Sequence, residues 1–277
     1  MAILRRLLRD RLGTLGLVLV CAVIAGAVFA DVIALQDPLK IAPRMRFEGP
    51  SLEHLLGTDH LGRDMWSRVL HGARIALGLA VSATLVSLAI GIVLGLVSGY
   101  GPRWLDSLLL LVFETLRSFP TVMLALALMI LIGSGLTTVF AVVVVVSAPA
   151  YARILRTQTL SIRNAEYVVA SRSIGAGTLR ILGIHILPNI IGPLLIIACM
   201  DVPVVITIEA GMSFLGLGVP PPAPSWGTIL NEAQGYVRES PWPSIDAGMA
   251  LVVATCGFTF LGEALRDILD PRLRKGA

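Results

Sequence analysis

An all-α membrane protein with six transmembrane helices is the fold that the sequence predicts, and three observations predict it. Of the 277 residues, 56% are hydrophobic and 14% are charged, with a mean hydropathy of +0.84. A soluble domain carries roughly 25% charged residues, so this chain lacks the polar surface to cover itself in water. The apolar residues also gather into six runs, each long enough to cross a bilayer as a helix rising about 1.5 Å per residue. Finally, arginines concentrate at both ends of the chain and between some of the runs, the kind of asymmetry that sets orientation. The basic balance, +4 with pI ≈ 9.3, does not point to nucleic acid, because the arginines are dispersed among apolar spans rather than gathered on one face.

Residues 1–11 carry Arg5, Arg6, Arg9 and Arg11 ahead of an apolar run from Leu12 to about Ile33. Val28-Phe29-Ala30 would pass as a signal cleavage site, but the run is about twice a typical signal-peptide core. We read it as a retained first helix with a cytoplasmic N-terminus. Asp31 to Gly72 is a polar loop with Pro38, Pro43 and Pro50, then Gly57-Thr58-Asp59-His60-Leu61-Gly62-Arg63-Asp64. Asp59 and Asp64 lack the EF-hand pattern and predict a capped turn. His54, His60 and His71 fit no compact ligand template and read as surface residues. Met65, Trp66, Val69, Leu70 and Ala73 recur at helical spacing, which predicts an interfacial helix feeding the second span. Residues 1–72 are thus an N-terminal tail, a first span and an extracytoplasmic loop, and residues 73–277 a core of five further spans.

Those five runs lie at about Ala73–Ser98, Leu105–Ile132, Leu136–Leu155, Ile190–Leu217 and Ser244–Ala264. Trp66, Trp104, Trp226 and Trp242 fall near span ends, where an interfacial aromatic belt would put them. With the N-terminus inside, fifteen of the twenty-two basic residues fall on cytoplasmic segments and span ends. The first loop opposes this with Lys40, Arg44, Arg46, Arg63, Arg68 and Arg74, but an even number of spans places both arginine-rich termini inside. Cys21, Cys199 and Cys256 all sit within apolar runs with no paired spacing, so neither a disulfide framework nor a metal site is expected.

Between the fourth and fifth runs lies a polar, basic island, Asn164 to Asn189. Glu166 to Ile174 predicts a short helix with Asn164 as its N-cap. Gly175 and Gly177 break that helix, and Thr178 is placed to cap a second one ending before Pro188. Such a segment is either an ordinary solvated loop or a knuckle that docks on a partner.

Glu166, Ala170, Gly175 and Leu187-Pro188 match the E-A-A…G…I-x-L-P signature of permease subunits of binding-protein-dependent ABC importers. The fuller run Glu166-Tyr167-Val168…Ala170-Ser171-Arg172…Gly175…His185-Ile186-Leu187-Pro188 resembles the dipeptide, oligopeptide and nickel branch. Ser171 replaces a usual alanine, and His185 stands at the general motif's isoleucine position. Gly57 to Asp64, Glu209 to Gly227 and Leu261 to Arg272 resemble the same branch.

The resemblance implies a type I ABC importer transmembrane fold with a cytoplasmic coupling helix in a loop at about 156–189. It assigns ATPase coupling to Glu166, Tyr167, Ala170, Ser171, Arg172, Gly175, His185, Leu187 and Pro188. It further implies a second homologous permease, two ABC ATPase subunits that bind ATP and Mg, and an extracytoplasmic solute-binding protein. The setting would be a bacterial inner membrane, with both termini cytoplasmic and a dipeptide, longer peptide or nickel chelate as cargo.

A phosphate-binding loop needs Gly-Lys-Ser/Thr. Lys40 and Lys275 are the two lysines and neither has that context, so this chain is not its own ATPase and no cofactor is expected on it. Glu114, Asp201, Glu209, Asp246 and Glu263 sit in or near apolar runs, where a charge costs roughly 3 kcal/mol or more. Glu114 with Arg117 and Glu263 with Arg266 are spaced for helix pairs. Asp201 and Glu209 share the fifth run, and pathway lining and structural pairing stand equal for them. The alternative function is a stand-alone proton-coupled secondary transporter using Glu209, although the paired broken helices of such folds are not visible. A membrane enzyme is disfavoured by the lack of H-E-x-x-H or G-x-S-x-G.

Overall fold

The computed structural model describes residues 6–269. Arg5, Arg272, Arg274 and Lys275, four of the fifteen basic residues counted above as cytoplasmic, and the motif residues after Leu269 lie outside them. The described residues are almost entirely helical. Among the described residues, five helices are long and apolar enough to cross a membrane, and a sixth span results if one bent pair is counted as one.

The first helix, α1 (Arg11–Val28), is capped by Asp10, whose carboxylate accepts from Gly13 N at 2.7 Å. After the short α2 (Ala30–Ile33) comes a loop whose tight path depends on Gly62. Its φ is +75°, and a Cβ there would lie 1.9 Å from Ala42 O. The predicted capped turn is present: Asp59 Oδ1 accepts from Leu61 N and Arg63 N, and Asp64 Oδ2 accepts from Ser67 N at 2.8 Å. His54 is not a surface residue. It is 2% exposed, with Nδ1 2.8 Å from Asp64 Oδ1.

Asp64 caps the start of α3 (Met65–Tyr100), which runs unbroken past residue 72. Met65, Leu70 and Ala73 are therefore buried first turns of the second span rather than a separate interfacial helix. The predicted third span, in contrast, is two helices, α4 (Arg103–Ser118) and α5 (Thr121–Ile132), bent by 96°. Pro120 accounts for the break: the residue before a proline is driven out of the helical region, and Phe119 has φ −82° and ψ 131°.

Then come α6 (Leu136–Ile162), α7 (Glu166–Ser173), a long helix α8 (Thr178–Phe214), α9 (Trp226–Gln234) and α10 (Trp242–Leu269). The helix opening at Thr178 does not stop before Pro188. Residues Ile181–Ile186 form a π-helical turn, and the chain continues helical from Leu187. Proline offers no N–H and its ring crowds the preceding turn, and a widened turn is one way to absorb both. Nor is Trp226 part of an interfacial belt: it is 1% exposed and its Nε1 donates to Val69 O at 3.0 Å.

The chain divides into two compact units, Met1–Ser82 with Ala125–Phe140 and Met200–Ala277, and Ala83–Leu124 with Ala141–Cys199. In the first unit α1 packs on α10 without side chains between them at Gly16, where a Cβ would stand 2.5 Å from Leu261 N. The second unit has its own core, built on Leu88, Tyr151, Leu155, Val168, Ile181 and Ile190. Here α3 meets α6 along Gly91, Gly95 and Gly99. Cβ atoms at these positions would lie 2.4 Å from Tyr151 Cβ, 2.6 Å from Ala152 O and 2.7 Å from Thr159 Cβ. Small residues at every fourth position let two helix backbones touch, which in a membrane is a main source of helix association.

Candidate functional site

The polar island of the second unit is built around α7. Its N-cap is Ala165 and makes no side-chain hydrogen bond, so Asn164 is not the cap that the sequence suggests. Thr178 likewise does not cap α8; Gly177 holds that position. The helix ends as a Schellman stop: Ala176 N donates to Ser171 O and Gly175 N to Arg172 O, each at 3.0 Å. That motif needs a left-handed residue just past the cap, and Gly175 has φ +84°.

Val168 is the one buried residue of α7, inserted into the core of its unit. Two arginines tie the segment to the end of α3. Arg163 Nη1 donates to Gly99 O at 3.1 Å, and Arg172 Nη2 donates to the Tyr100 hydroxyl at 3.1 Å while its guanidinium lies 5.5 Å from that ring's centre. Ser171 Oγ donates to Tyr167 O at 2.8 Å and lies 3.2 Å from His185 Nε2. The two positions that depart from the importer signature thus touch each other.

Glu166, Tyr167, Ala170, Arg172 and Gly175 are exposed, as is Pro188, whereas His185 and Leu187 are half-buried. Beside them Ile174 and Leu179, both 86% exposed, stand bare on either side of Gly175. Tyr100 and Arg163, which belong to no signature motif, hold the segment in place together with Val168 of the signature run. The glycines at 91, 95 and 99 were the readable signal that α3 runs close to another helix.

The two candidate path acids have different settings on α8. Glu209 is fully buried, with Oε1 accepting from Ser213 Oγ at 2.8 Å, and Ser213 Oγ in turn accepts from Val219 N at 3.1 Å. Asp201 is half-buried. Glu114 pairs with Arg153 across helices rather than with Arg117 on its own. Asp106 is held by both nitrogens of an Arg156 fork, at 2.5 and 2.6 Å.

A second ionic cluster lies in the first unit. Glu232 Oε2 accepts from Arg63 Nη2 at 2.6 Å and from Arg68 Nη2 at 2.8 Å. Arg63 Nε also donates to Asp59 Oδ2 at 2.6 Å. Ligand atoms of Asp59, His60 and Glu232 come within 4.8 Å of one another. Both carboxylates are already matched by guanidiniums, however, so the arrangement is a charge-balanced ion cluster rather than a cation site. His60 stacks on Tyr236 with ring centres 5.0 Å apart, and burial pushes its pKa below the usual histidine value. Asp31 is held below the ordinary carboxylate range by hydrogen bonds from Arg74 and then His71.

Comparisons with known proteins agree with this architecture. The family described as binding-protein-dependent transport system inner membrane component matches residues 91–275. The dipeptide transport system permease protein of Alkalihalophilus pseudofirmus is 33% identical over 270 residues, covering 98% of this chain and 89% of that protein. The di/tripeptide transport system permease protein of Pseudomonas aeruginosa is 37% identical over 268 residues, 95% of this chain and 88% of that one. The glutathione transport system permease protein of Pectobacterium atrosepticum is 38% identical over 271 residues, 98% and 90%. Among solved structures, the MetNI methionine ABC transporter in an inward-facing conformation shares the fold, with TM-score 0.58, 20% identity and coverage of 74% of this chain and 98% of that one. The helical architecture, the signature segment and these relatives together place the chain in the family of binding-protein-dependent transport system inner membrane components, as a multi-pass permease subunit of an ABC transporter.

Proposed function

We propose that this chain forms half of the pore of an ATP-driven importer of short peptides, and that α7 with the turn after it is the part its ATPases grip. The cargo class follows from the relatives, which are named for dipeptides, di/tripeptides and glutathione. The observation that carries the coupling role is the two-sided character of α7. Its inner side is anchored through Val168, Arg163 and Arg172. Its outer side leaves Ile174 and Leu179 bare at the tip, and an apolar tip rimmed by polar residues marks a partner surface.

In this reading both termini are cytoplasmic, a second permease completes the pore, and an extracytoplasmic binding protein delivers the peptide. ATP and Mg bind to two partner ATPases, whose closure displaces α7 and switches the spans. Glu166, Tyr167, Ala170 and Ser171 line the gripped face, Arg172 passes the coupling to the end of α3 through Tyr100, Gly175 makes the turn, and His185, Leu187 and Pro188 form its base. Glu209 supports the path from inside the protein and Asp201 stands nearer to it.

The test is ATPase co-purification and peptide uptake for Glu166→Ala, Ala170→Trp and Gly175→Val. Valine at φ +84° is strained by about 1–2 kcal/mol, and tryptophan overfills a docking cleft. We expect normal membrane levels with lost ATPase association or uncoupled hydrolysis. Normal assembly and uptake in all three variants would refute the role.

A further inference from the structure

The first unit contains an apolar cavity of about 280 Å³ between α1, the start of α3, α9 and α10. Val23, Leu70, Trp226, Met249 and Val253 are among its walls, and one ionisable residue, Asp246, completes them. Asp246 is 9% exposed, and its Oδ2 is buried with no hydrogen-bond partner among the described residues. No arginine, lysine or histidine lines the cavity. A lone carboxylate in apolar surroundings is costly unless a donor or a cation meets it. Among the described residues none supplies either to Asp246 Oδ2, and a ligand that carries a cationic donor would.

The setting narrows the ligand. Asp246 is the fifth residue of α10 (Trp242–Leu269) and shares the cavity with Trp226, the first residue of α9. It therefore sits near the first end of the span α10. Met249 lines the cavity yet is 56% exposed, and Val252 beside it is 51% exposed, so the cavity lies beside an exposed apolar flank of the span α10. Its volume is at the small end of ligand pockets. It suits a headgroup amine and the first part of one chain, with the remainder lying over Met249 and Val252.

We propose that this cavity binds a primary ammonium carried on an apolar chain, supplied by an aminophospholipid of the surrounding bilayer, with Asp246 as its counter-ion. The carboxylate accepts hydrogen bonds from the ammonium while the apolar walls cover the chain beside it. An anionic lipid of the same chain length lacks the donor and meets the carboxylate charge instead.

The experiment is native mass spectrometry of the assembled transporter, exposed to equimolar phosphatidylethanolamine and phosphatidylglycerol of matched chains. The wild type should retain the amine lipid about tenfold more, the ratio expected of one charge-assisted hydrogen bond. Asp246→Asn keeps the shape and should bring the two lipids to equal retention. Ala250→Phe should fill the cavity and lower amine-lipid retention while leaving Asp246 in place. Equal retention by the wild type, or unchanged selectivity in Asp246→Asn, would overturn the proposal. A hydrophobic dipeptide with a free amine provides the last arm. If it displaces the lipid and its N-acetylated form does not, the ammonium site stands but its source is peptide, and the lipid assignment is wrong.

Discussion

Glu232→Gln isolates the energetics of the buried ion cluster. The side chains of Arg63 and Arg68 are 4% and 1% exposed, Asp59 4% and Glu232 19%. Two cations and two anions therefore balance almost out of reach of water. Glutamine keeps the size of Glu232 but removes its charge, leaving two buried guanidiniums to share Asp59, which lies 2.6 Å from Arg63 Nε and 3.6 Å from Arg68 Nε. Breaking a buried pair from one side costs about 3–5 kcal/mol, because the orphaned charge stays buried.

The loss should be local, since the cluster ties the loop ending at Asp64 to α9. Hydrogen exchange in the assembled transporter is the assay, and amides of Trp226–Gln234 should exchange about 100-fold faster or more. Arg68→Met in the same chain removes the surplus cation, leaves the Asp59–Arg63 pair and should restore most of the protection. Exchange in Glu232→Gln within threefold of wild type would refute this account, as would a double variant less protected than the single one.

Gly95→Leu should force α3 off α6, because the new side chain meets Ala152 O, a backbone atom 2.6 Å from its Cβ position; we expect about 1–3 kcal/mol lower stability, read by thermal melting in detergent, with peptide uptake reduced more than membrane level. Reporter fusions after Gly49 and Gly235 should report outside and a fusion after Asn164 inside, and an inside signal at Gly49 would reverse the proposed topology. Asp201→Asn and Glu209→Gln should leave ATP-driven uptake insensitive to collapse of the proton gradient. Abolition of uptake by an uncoupler at constant ATP would instead favour proton coupling.

Features that depend on the length and composition of a segment were legible without coordinates, and those set by distant partners were not. The apolar runs, the short helix at Glu166 and the turn at Gly175 follow from local chemistry. The break at Phe119–Pro120 was hidden because hydropathy runs straight through it, although the proline was a sufficient warning. Pro188 misled in the other direction, since a proline tells where a helix is perturbed but not whether a π turn absorbs the perturbation. Trp226 was misplaced by hydropathy alone, although Ser225 and Thr228 form a capping box that announces a helix start at that tryptophan. Arg63 and Glu232 are 169 residues apart, and no local pattern joins them. For the knuckle, the exposed residues were named from the importer signature, but their anchors at Tyr100 and Arg163 belong to contacts that the signature does not contain.

The glycine seam between α3 and α6 also has a mechanical meaning. Flexible side chains between two helices act as a compliant layer that lets one slide before the other follows. At Gly91, Gly95 and Gly99 there is no such layer, and α3 lies directly against the backbone and first side-chain atoms of α6. The seam ends at Gly99 and Tyr100, where Arg163 and Arg172 attach the segment bearing α7. In the coupling role proposed above, a displacement delivered to α7 would enter α3 and α6 together, with little backlash to dissipate it, and the stroke of an ATPase would move this unit as a rigid lever. On that proposal a transporter assembled with Gly95→Leu should hydrolyse ATP in excess of the peptide it moves, because padding introduced into the seam lets part of each stroke be lost.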